Sequence, residues 1–328
     1  MHFRNAAAAL GALTLLITGC SAADESEATG GAPVESAEGF PRTVTHSSGT
    51  TTIEDAPQRI VVLDMAALDT IDALGAGELV VGTVTDSVPT WLADDEGIDY
   101  TRVEPVGTLK EPDMEAIAKL DPDLVIVGAR SATFYEDFSR AFTTIDTTHS
   151  WEDADYSASV PATFTLLGEA VGYDDEAAEL ASGLEDLMAD YKDLGADKGT
   201  ALVLMSNASE VSLHDAGSRW APIYDVFGFP EAYEKDEADE GHQGEKVSFE
   251  TVKEINPDWL FVVDRDAAVG QAEAGNTASQ VLDNELIHAT NAWQNDQVVY
   301  LSPERWYIVM TGASNFPAML DEIADAIQ

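Results

Sequence analysis

Residues 115–130 read EAIAKLDPDLVIVGAR, and residues 250–265 read ETVKEINPDWLFVVDR. At a constant offset of 135 the two stretches share five identical residues in sixteen positions, where about one would arise by chance from ordinary residue frequencies. In each, a short amphipathic helix is expected to stop at a Pro-Asp corner, because Pro122 and Pro257 carry no amide proton and bias the preceding residue away from the helical region. The runs LVIVG and WLFVV that follow are unbroken apolar stretches, the pattern of parallel strands covered on both faces. Each run delivers an arginine, Arg130 or Arg265, at its carboxyl end, the edge where open α/β sheets receive ligands. A period of this length is too long for a solenoid and suits a domain. The reading is an α/β protein with two Rossmann-like lobes, each turning an arginine toward a shared cleft.

Outward from the repeat, each half continues in the same alternation. Upstream of the first copy, VTHSSGTTTIED predicts a β-hairpin, RIVVLDMAALDTIDALGA a buried strand at 60–63 running into a helix, and VVGTV at 80–84 a second strand. A polar loop from Thr85 to Thr101 carries Trp91, and Val106 to Lys110 leads into the repeat. Downstream, SATFYEDFSRAF predicts a helix and TTIDTT a last strand of an N-terminal lobe spanning 42–158. Residues 159–197 follow, with a helical pattern from Ser159 to Leu194 broken only at Gly172-Tyr173. Such a segment predicts a long, stiff interlobe helix. The C-terminal lobe, 198–328, opens with the strand ALVLM, then a stretch rich in turn formers that ends at Arg219 and Trp220. The acidic loop holding Gly241, His242 and Gly244 leads into the second copy, and VVYL, SPERWYIV and a helix from about Phe316 close the chain.

Sixteen basic residues stand against sixty-one acidic ones, a formal net charge of -45. That balance argues against nucleic acid or anionic lipid surfaces as partners and suits a surface working at high salt, where carboxylate repulsion is screened. Residues 1–19 have a weakly basic start, an apolar core AAAALGALTLLI and small residues before Cys20. This is the shape of a secretory signal, too short for a lasting membrane span. Cys20 is the only cysteine, so an internal disulfide is excluded. Acylation of Cys20 would account for a lone cysteine there; an ordinary signal peptide would instead lose it on cleavage. Residues 20–41 are small, acidic and rich in Gly and Pro, and are expected to form a flexible tether.

Phosphate loops, nucleophile elbows, HExxH helices and dinucleotide-binding glycine motifs are all absent from the sequence, so an enzyme is not expected. His149, His214, His242 and His288 are too scattered to claim a zinc site. Among nine arginines, Arg130 and Arg265 end strands and Arg219 precedes a helical stretch. In so acidic a chain, three guanidinium groups on one cleft would form a local anion site. His242 and Tyr307 offer an imidazole and a phenol, a pair suited to ferric iron or haem, although a tyrosine following Trp306 could equally be a packed aromatic.

The strings LDMAALDTIDALG, VGTLKEPDMEAIAKLDPDLVIVGAR, GSRW, GHQGEKVSFETVKEINPDWLFVVDRDAA, QVLDNELI and VVYLSPERWYIVMTG occur in order from about Arg59 to the C-terminus. Over that span the chain resembles the iron-siderophore and cobalamin cluster of ABC-transporter substrate-binding lipoproteins, most closely its catecholate-siderophore branch. The resemblance implies the class III periplasmic-binding-protein fold with small closure motions, no intrinsic cofactor, and a ferric siderophore as transported ligand. It implies that Arg130, Arg219 and Arg265 cradle the anionic ferric catecholate. Trp220 and Trp306 are expected as further possible ligand contacts. Where a tetradentate siderophore leaves two iron positions open, it implies Tyr307 and His242 as metal ligands, although the loop after His242 is one residue longer than the family's usual spacing. Glu115 and Glu250 match its docking carboxylates for the permease subunits, which work with a cytoplasmic ATPase. A monomer, exported and held to the outer face of the cell membrane through Cys20, is expected. Haem capture is the alternative ligand reading.

Overall fold

A computed structural model describes residues 39–93, 97–150, 156–208, 210–233, 244–270 and 277–328. The signal segment, Cys20, most of the tether and His242 lie outside the described residues.

The predicted hairpin is present as strands β1 (Arg42–His46) and β2 (Gly49–Ile53), paired antiparallel. The first sheet contains β3 (Ile60–Val62), β4 (Val80–Thr83), β5 (Glu104–Pro105), β6 (Leu124–Val127) and β7 (Thr144–Asp146), in the order β5-β4-β3-β6-β7 and parallel throughout. Helices α1 (Met65–Ala73), α2 (Met114–Lys119) and α3 (Tyr135–Ser139) accompany it. α1 starts where the Asp64 side chain accepts the Ala67 amide at 3.0 Å, so the buried strand β3 passes directly into a capped helix. The order reverses between β3 and β6. That is the switch point at which doubly wound sheets leave a crevice at their carboxyl ends.

The second sheet holds β8 (Ala201–Asn207), β9 (Glu210–His214), β10 (Glu245–Val247), β11 (Trp259–Asp264) and β12 (Val298–Leu301), in the order β10-β9-β8-β11-β12. β8, β11 and β12 are parallel, while β9 folds back antiparallel on β8 and β10 antiparallel on β9. The turn-rich reading of residues 206–220 missed β9. Ala208, at φ 48°, turns the chain at once, and the short polar-apolar stretch EVSLH is carried by pairing with β8 rather than by its own pattern. Alternate residues of β8 and β11 feed two separate cores on the two faces of this sheet: Val203 and Phe261 on one, Leu204 and Leu260 on the other.

Between the sheets lie α4 (Tyr156–Val171) and α5 (Asp174–Tyr191). The expected long interlobe helix is therefore one of two helices, α5, which spans about 27 Å at 1.5 Å per residue. α4 runs back along it. Gly172, at φ 83°, makes the reversal, and Gly168 allows the close approach, since a Cβ there would sit 2.3 Å from that of Ala177. In α4, Val160 and Phe164 pack into a second-lobe core and Leu167 and Val171 into the first; in α5, Ala177 joins the first and Leu184 the second. A helix pair anchored in both cores at both ends resists bending more than a single rod.

In the second lobe, α6 (Pro222–Asp225), α7 (Phe249–Ile255), α8 (Arg265–Ala268), α9 (Ala278–Leu282), α10 (Glu285–His288) and α11 (Asn291–Gln294) surround the sheet, and α12 (Asn315–Ala326) closes it. The sequence repeat maps onto equivalent parts: α2-β6 and α7-β11, with β6 and β11 each fourth in their sheets. Both helices have side-chain caps, Asp113 and Ser248, and both corners turn through one left-handed residue before proline, Asp121 at φ 47° and Asn256 at φ 51°. Asp and Asn tolerate that region, and the following proline disfavours the right-handed alternative.

Candidate functional site

The carboxyl end of β6 is built to hold Arg130. Ala129 sits at φ 46°, and its amide donates to Thr148 Oγ1 at 3.0 Å; Thr148 Oγ1 in turn donates to Asp146 at 2.6 Å. Buried Ser131 accepts the Gly128 amide and donates to the Leu63 carbonyl, each at 3.0 Å, which joins the β6 loop to β3 across the switch point. Arg130, half-buried, reaches to the other lobe: Nη2 donates to the Tyr307 carbonyl at 3.1 Å, and Cζ lies 5.4 Å from the centre of the Tyr307 ring.

Arg265 follows β11 directly and opens α8, whose first turn is capped by Asp264. Its Nη1 lies 3.4 Å from both Asn207 Oδ1 and Asp266 Oδ1. Arg219 comes from the loop before α6 and is only 7% exposed. Its Cζ stands 5.2 Å from the Tyr307 ring centre and 5.9 Å from that of Trp220, with Nη1 3.8 Å from the Met310 sulfur. Burial, reinforced by the charge of Arg130, holds the Arg219 guanidinium below the ordinary arginine range, while Tyr307 and Tyr156 oppose this. For the Tyr307 phenol the largest influence is burial, which would raise it. A hydrogen bond from Arg265 and the charges of Arg130, Arg219 and Arg265 outweigh burial, and its pKa lies below the usual tyrosine value.

These groups line one cleft. A cavity of about 380 Å³ is bounded by Arg130, Arg219, Arg265, Tyr307, Lys110, Thr148, Asn207 and Met310 among others. It shares Arg130, Arg265, Lys110 and Tyr307 with a cavity of about 580 Å³ that extends toward Pro89 and Glu304. The three expected arginines and Tyr307 are thus brought together from both lobes. Chemically the cleft offers fixed cations around a phenol, an arrangement for a compact polyanion.

Two expected ligand contacts are elsewhere. Trp220 and Trp306 are wholly buried, their rings stacked at 6.0 Å, with Trp306 Nε1 donating to Glu322 at 2.7 Å. They form the packed wall behind Arg219, because two large rings with only one polar edge each are more stable inside a core than on a charged cleft. Of the pair expected to reach ferric iron, Tyr307 lines the cleft, and His242 lies outside the described residues. Among the described residues no group of three His, Cys, Asp or Glu side chains is placed to hold a metal ion.

Glu115 and Glu250 occupy the same place in their helices, the second residue after the cap, and both are exposed. α2 and α7 run back into β6 and β11 through tight corners, so their amino ends lie at the carboxyl edges of the sheets, the cleft side. Glu115 pairs with Lys119 at 2.9 Å on the surface. At Glu250 hydrogen bonds from its own backbone amide and from the Ser248 hydroxyl lower the carboxyl pKa.

Lys110, Thr148, Asn207 and Met310 are cleft residues that sequence reasoning did not single out. A signal existed for Lys110: it lies inside a tight turn, closed by mutual backbone hydrogen bonds of Thr108 and Glu111, just before the first repeat copy. Asn207 also had a signal, as the last residue of an apolar strand. Thr148 and Met310 had none.

Residues 60–304 match the family described as periplasmic binding protein. The petrobactin-binding protein YclQ of Bacillus subtilis strain 168 is 32% identical over 279 residues, covering 85% of each chain. Its crystal structure superposes with a TM-score of 0.78 at 31% identity, covering 88% of this chain and 98% of that one. A TroA-like periplasmic binding protein from Xylanimonas cellulosilytica is 38% identical with a TM-score of 0.74, over 84% of this chain and 91% of that one. The catecholate-siderophore binding protein VctP of Vibrio cholerae is 29% identical with a TM-score of 0.77, over 87% of this chain and 98% of that one. All three are binding proteins, not enzymes. With two α/β lobes, a cleft at the carboxyl ends of β6 and β11 and a family match over most of its length, the chain belongs to the periplasmic binding protein family.

Proposed function

We propose that this protein captures a ferric siderophore of the catecholate type in its interlobe cleft and delivers it to the permease of an ABC importer, with Cys20 as the lipid anchor on the outer face of the cell membrane. The observation that carries the ligand reading is the convergence of Arg130, Arg219 and Arg265 on Tyr307 in a chain of net charge -45. So concentrated a positive site in an acidic protein selects a small, multiply charged anion. Relatives that bind petrobactin and catecholate siderophores support the class. The cleft walls carry cations from both lobes, which suits a ferric catecholate better than a flat, largely apolar macrocycle.

The test is a tryptophan-fluorescence titration with ferric bis-catecholate, ferric tris-catecholate, ferric trihydroxamate, ferric citrate and haem. Saturable quenching by the catecholates at the lowest concentrations is expected. Tighter binding of haem, with a shifted Soret band, or of the hydroxamate would overturn the reading.

A further inference from the structure

Asn315, at the start of α12, is wholly buried and joins both lobes to one strained turn of the cleft. Its Nδ2 donates to the Met310 carbonyl at 3.0 Å and to the Arg305 carbonyl at 3.2 Å, and its Oδ1 accepts from Arg305 at 3.2 Å. Its own amide donates at 3.1 Å to Asp69, a buried carboxylate on α1 of the first lobe.

The segment Asn315 grips has an uncommon backbone. Glu304–Val309 is a π-helical turn, closed by the Met310 amide on the Arg305 carbonyl at 2.8 Å. Such turns are rare and concentrate at functional sites. Met310 itself lies at φ 63°, ψ -78°, and the Thr311 amide donates across it to the Val309 carbonyl at 2.9 Å. This is the rarer, strained form of γ-turn, unfavourable for any residue with a Cβ. Strain of this kind persists only where the surroundings over-determine it. Tyr307 lies within the π turn, and Met310 places its sulfur against Arg219.

We propose that Asn315 is the positioning residue of the cleft: by holding the strained Met310 turn it sets Tyr307 and Met310 against the arginines. The inference builds on the anion-site reading, but its first measurement needs no ligand. Tyr307 titration is followed as the difference in tyrosinate absorbance between each protein and the same protein carrying Tyr307→Phe. In Asn315→Ala the turn relaxes, Tyr307 leaves the arginines, and its titration moves up from the parent position. Adding Met310→Gly returns it toward the parent, because glycine adopts the turn without strain and no longer needs the asparagine. A Tyr307 titration that Asn315→Ala leaves in place, or that Met310→Gly does not restore, overturns the proposal.

A second comparison does not depend on Asn315→Ala folding. Met310→Gly melts above Met310→Ala, the reverse of the usual order for an ordered position. Equal melting, or alanine above glycine, shows the turn to be unstrained and also overturns the proposal. Titration of the same variants with ferric bis-catecholate gives an affinity loss of about tenfold for Asn315→Ala, a difference of about 1.4 kcal/mol. If the parent itself binds no ferric siderophore, the function reading falls while the tyrosine titration still decides the role of Asn315.

Discussion

At the residue scale the cleft is a competition between burial and charge. Arg219 is the most enclosed of the three cations, with the Met310 sulfur and the rings of Tyr307 and Trp220 close to its guanidinium head. An anion bound there gains a charge-assisted hydrogen bond worth roughly 1.5–3 kcal/mol, so Arg219→Ala is expected to weaken ferric catecholate binding by about 10- to 150-fold in calorimetry. Arg219→Lys should recover little of this, because a compact ammonium reproduces neither the planar fork nor the stacking on Tyr307. Tyr307 makes two separable predictions. If its phenolate reaches iron left open by a tetradentate siderophore, Tyr307→Phe weakens ferric bis-catecholate binding and removes a phenolate-to-iron charge-transfer band, while ferric tris-catecholate, with iron already six-coordinate, is hardly affected. Equal loss for both ligands would mean that the hydroxyl only packs or donates. The second concerns pH. Its folded pKa lies below an unfolded value of about 10, so the linkage stabilises the fold only at alkaline pH and fades as pH falls through the folded pKa. Over that same alkaline rise the phenolate occupies the arginines' field. Tris-catecholate affinity should therefore drop as pH rises from neutral, and the drop should vanish in Tyr307→Phe.

At the scale of elements, the equivalent helices α2 and α7 each present one glutamate two residues after the cap, on the cleft side of their sheets. Charge reversal at both Glu115 and Glu250 should leave siderophore affinity unchanged in solution and abolish iron uptake in cells. A fall in affinity instead would move them from docking to ligand binding. The α4-α5 reversal carries a further expectation. Gly172 at φ 83° is a position where a Cβ is strained by about 1–2 kcal/mol, and that Cβ would also meet the Phe40 ring at 3.2 Å. Gly172→Ala should lower the calorimetric melting temperature by a few degrees, with little change in affinity, since the hairpin end lies by the first core rather than the cleft.

For the whole molecule the dominant quantity is the net charge of -45. Such a surface repels itself and also repels an approaching anionic siderophore, while the arginines attract it only at short range. Screening over a Debye length of about 8–10 Å removes the long-range repulsion before it affects contacts inside a closed cleft. Salt is therefore expected to raise the association rate in stopped-flow quenching and to raise the melting temperature together. An association rate that falls with added salt, as for ordinary steered binding, would show that the arginines dominate the field at a distance.

The repeat determined a great deal by itself. Helix, corner, buried strand and terminal arginine are local consequences of periodicity and of proline's missing amide, so two α/β lobes and the cleft positions of Arg130 and Arg265 followed from residues 115–130 and 250–265 alone. The GSRW string and family resemblance pointed to Arg219, but only packing decided that it is buried against Tyr307 and Met310. Trp220 and Trp306 show the limit from the other side: both were expected as possible ligand contacts, and packing turned both rings into the core. Strand β9 and the α4-α5 hairpin depended on pairing and close approach between segments, which no window of sequence contains. Thr148 and the strained Met310 turn were set by contacts more distant still, because a site assembled from two lobes is specified by how the lobes pack and not by any one stretch that contributes to it.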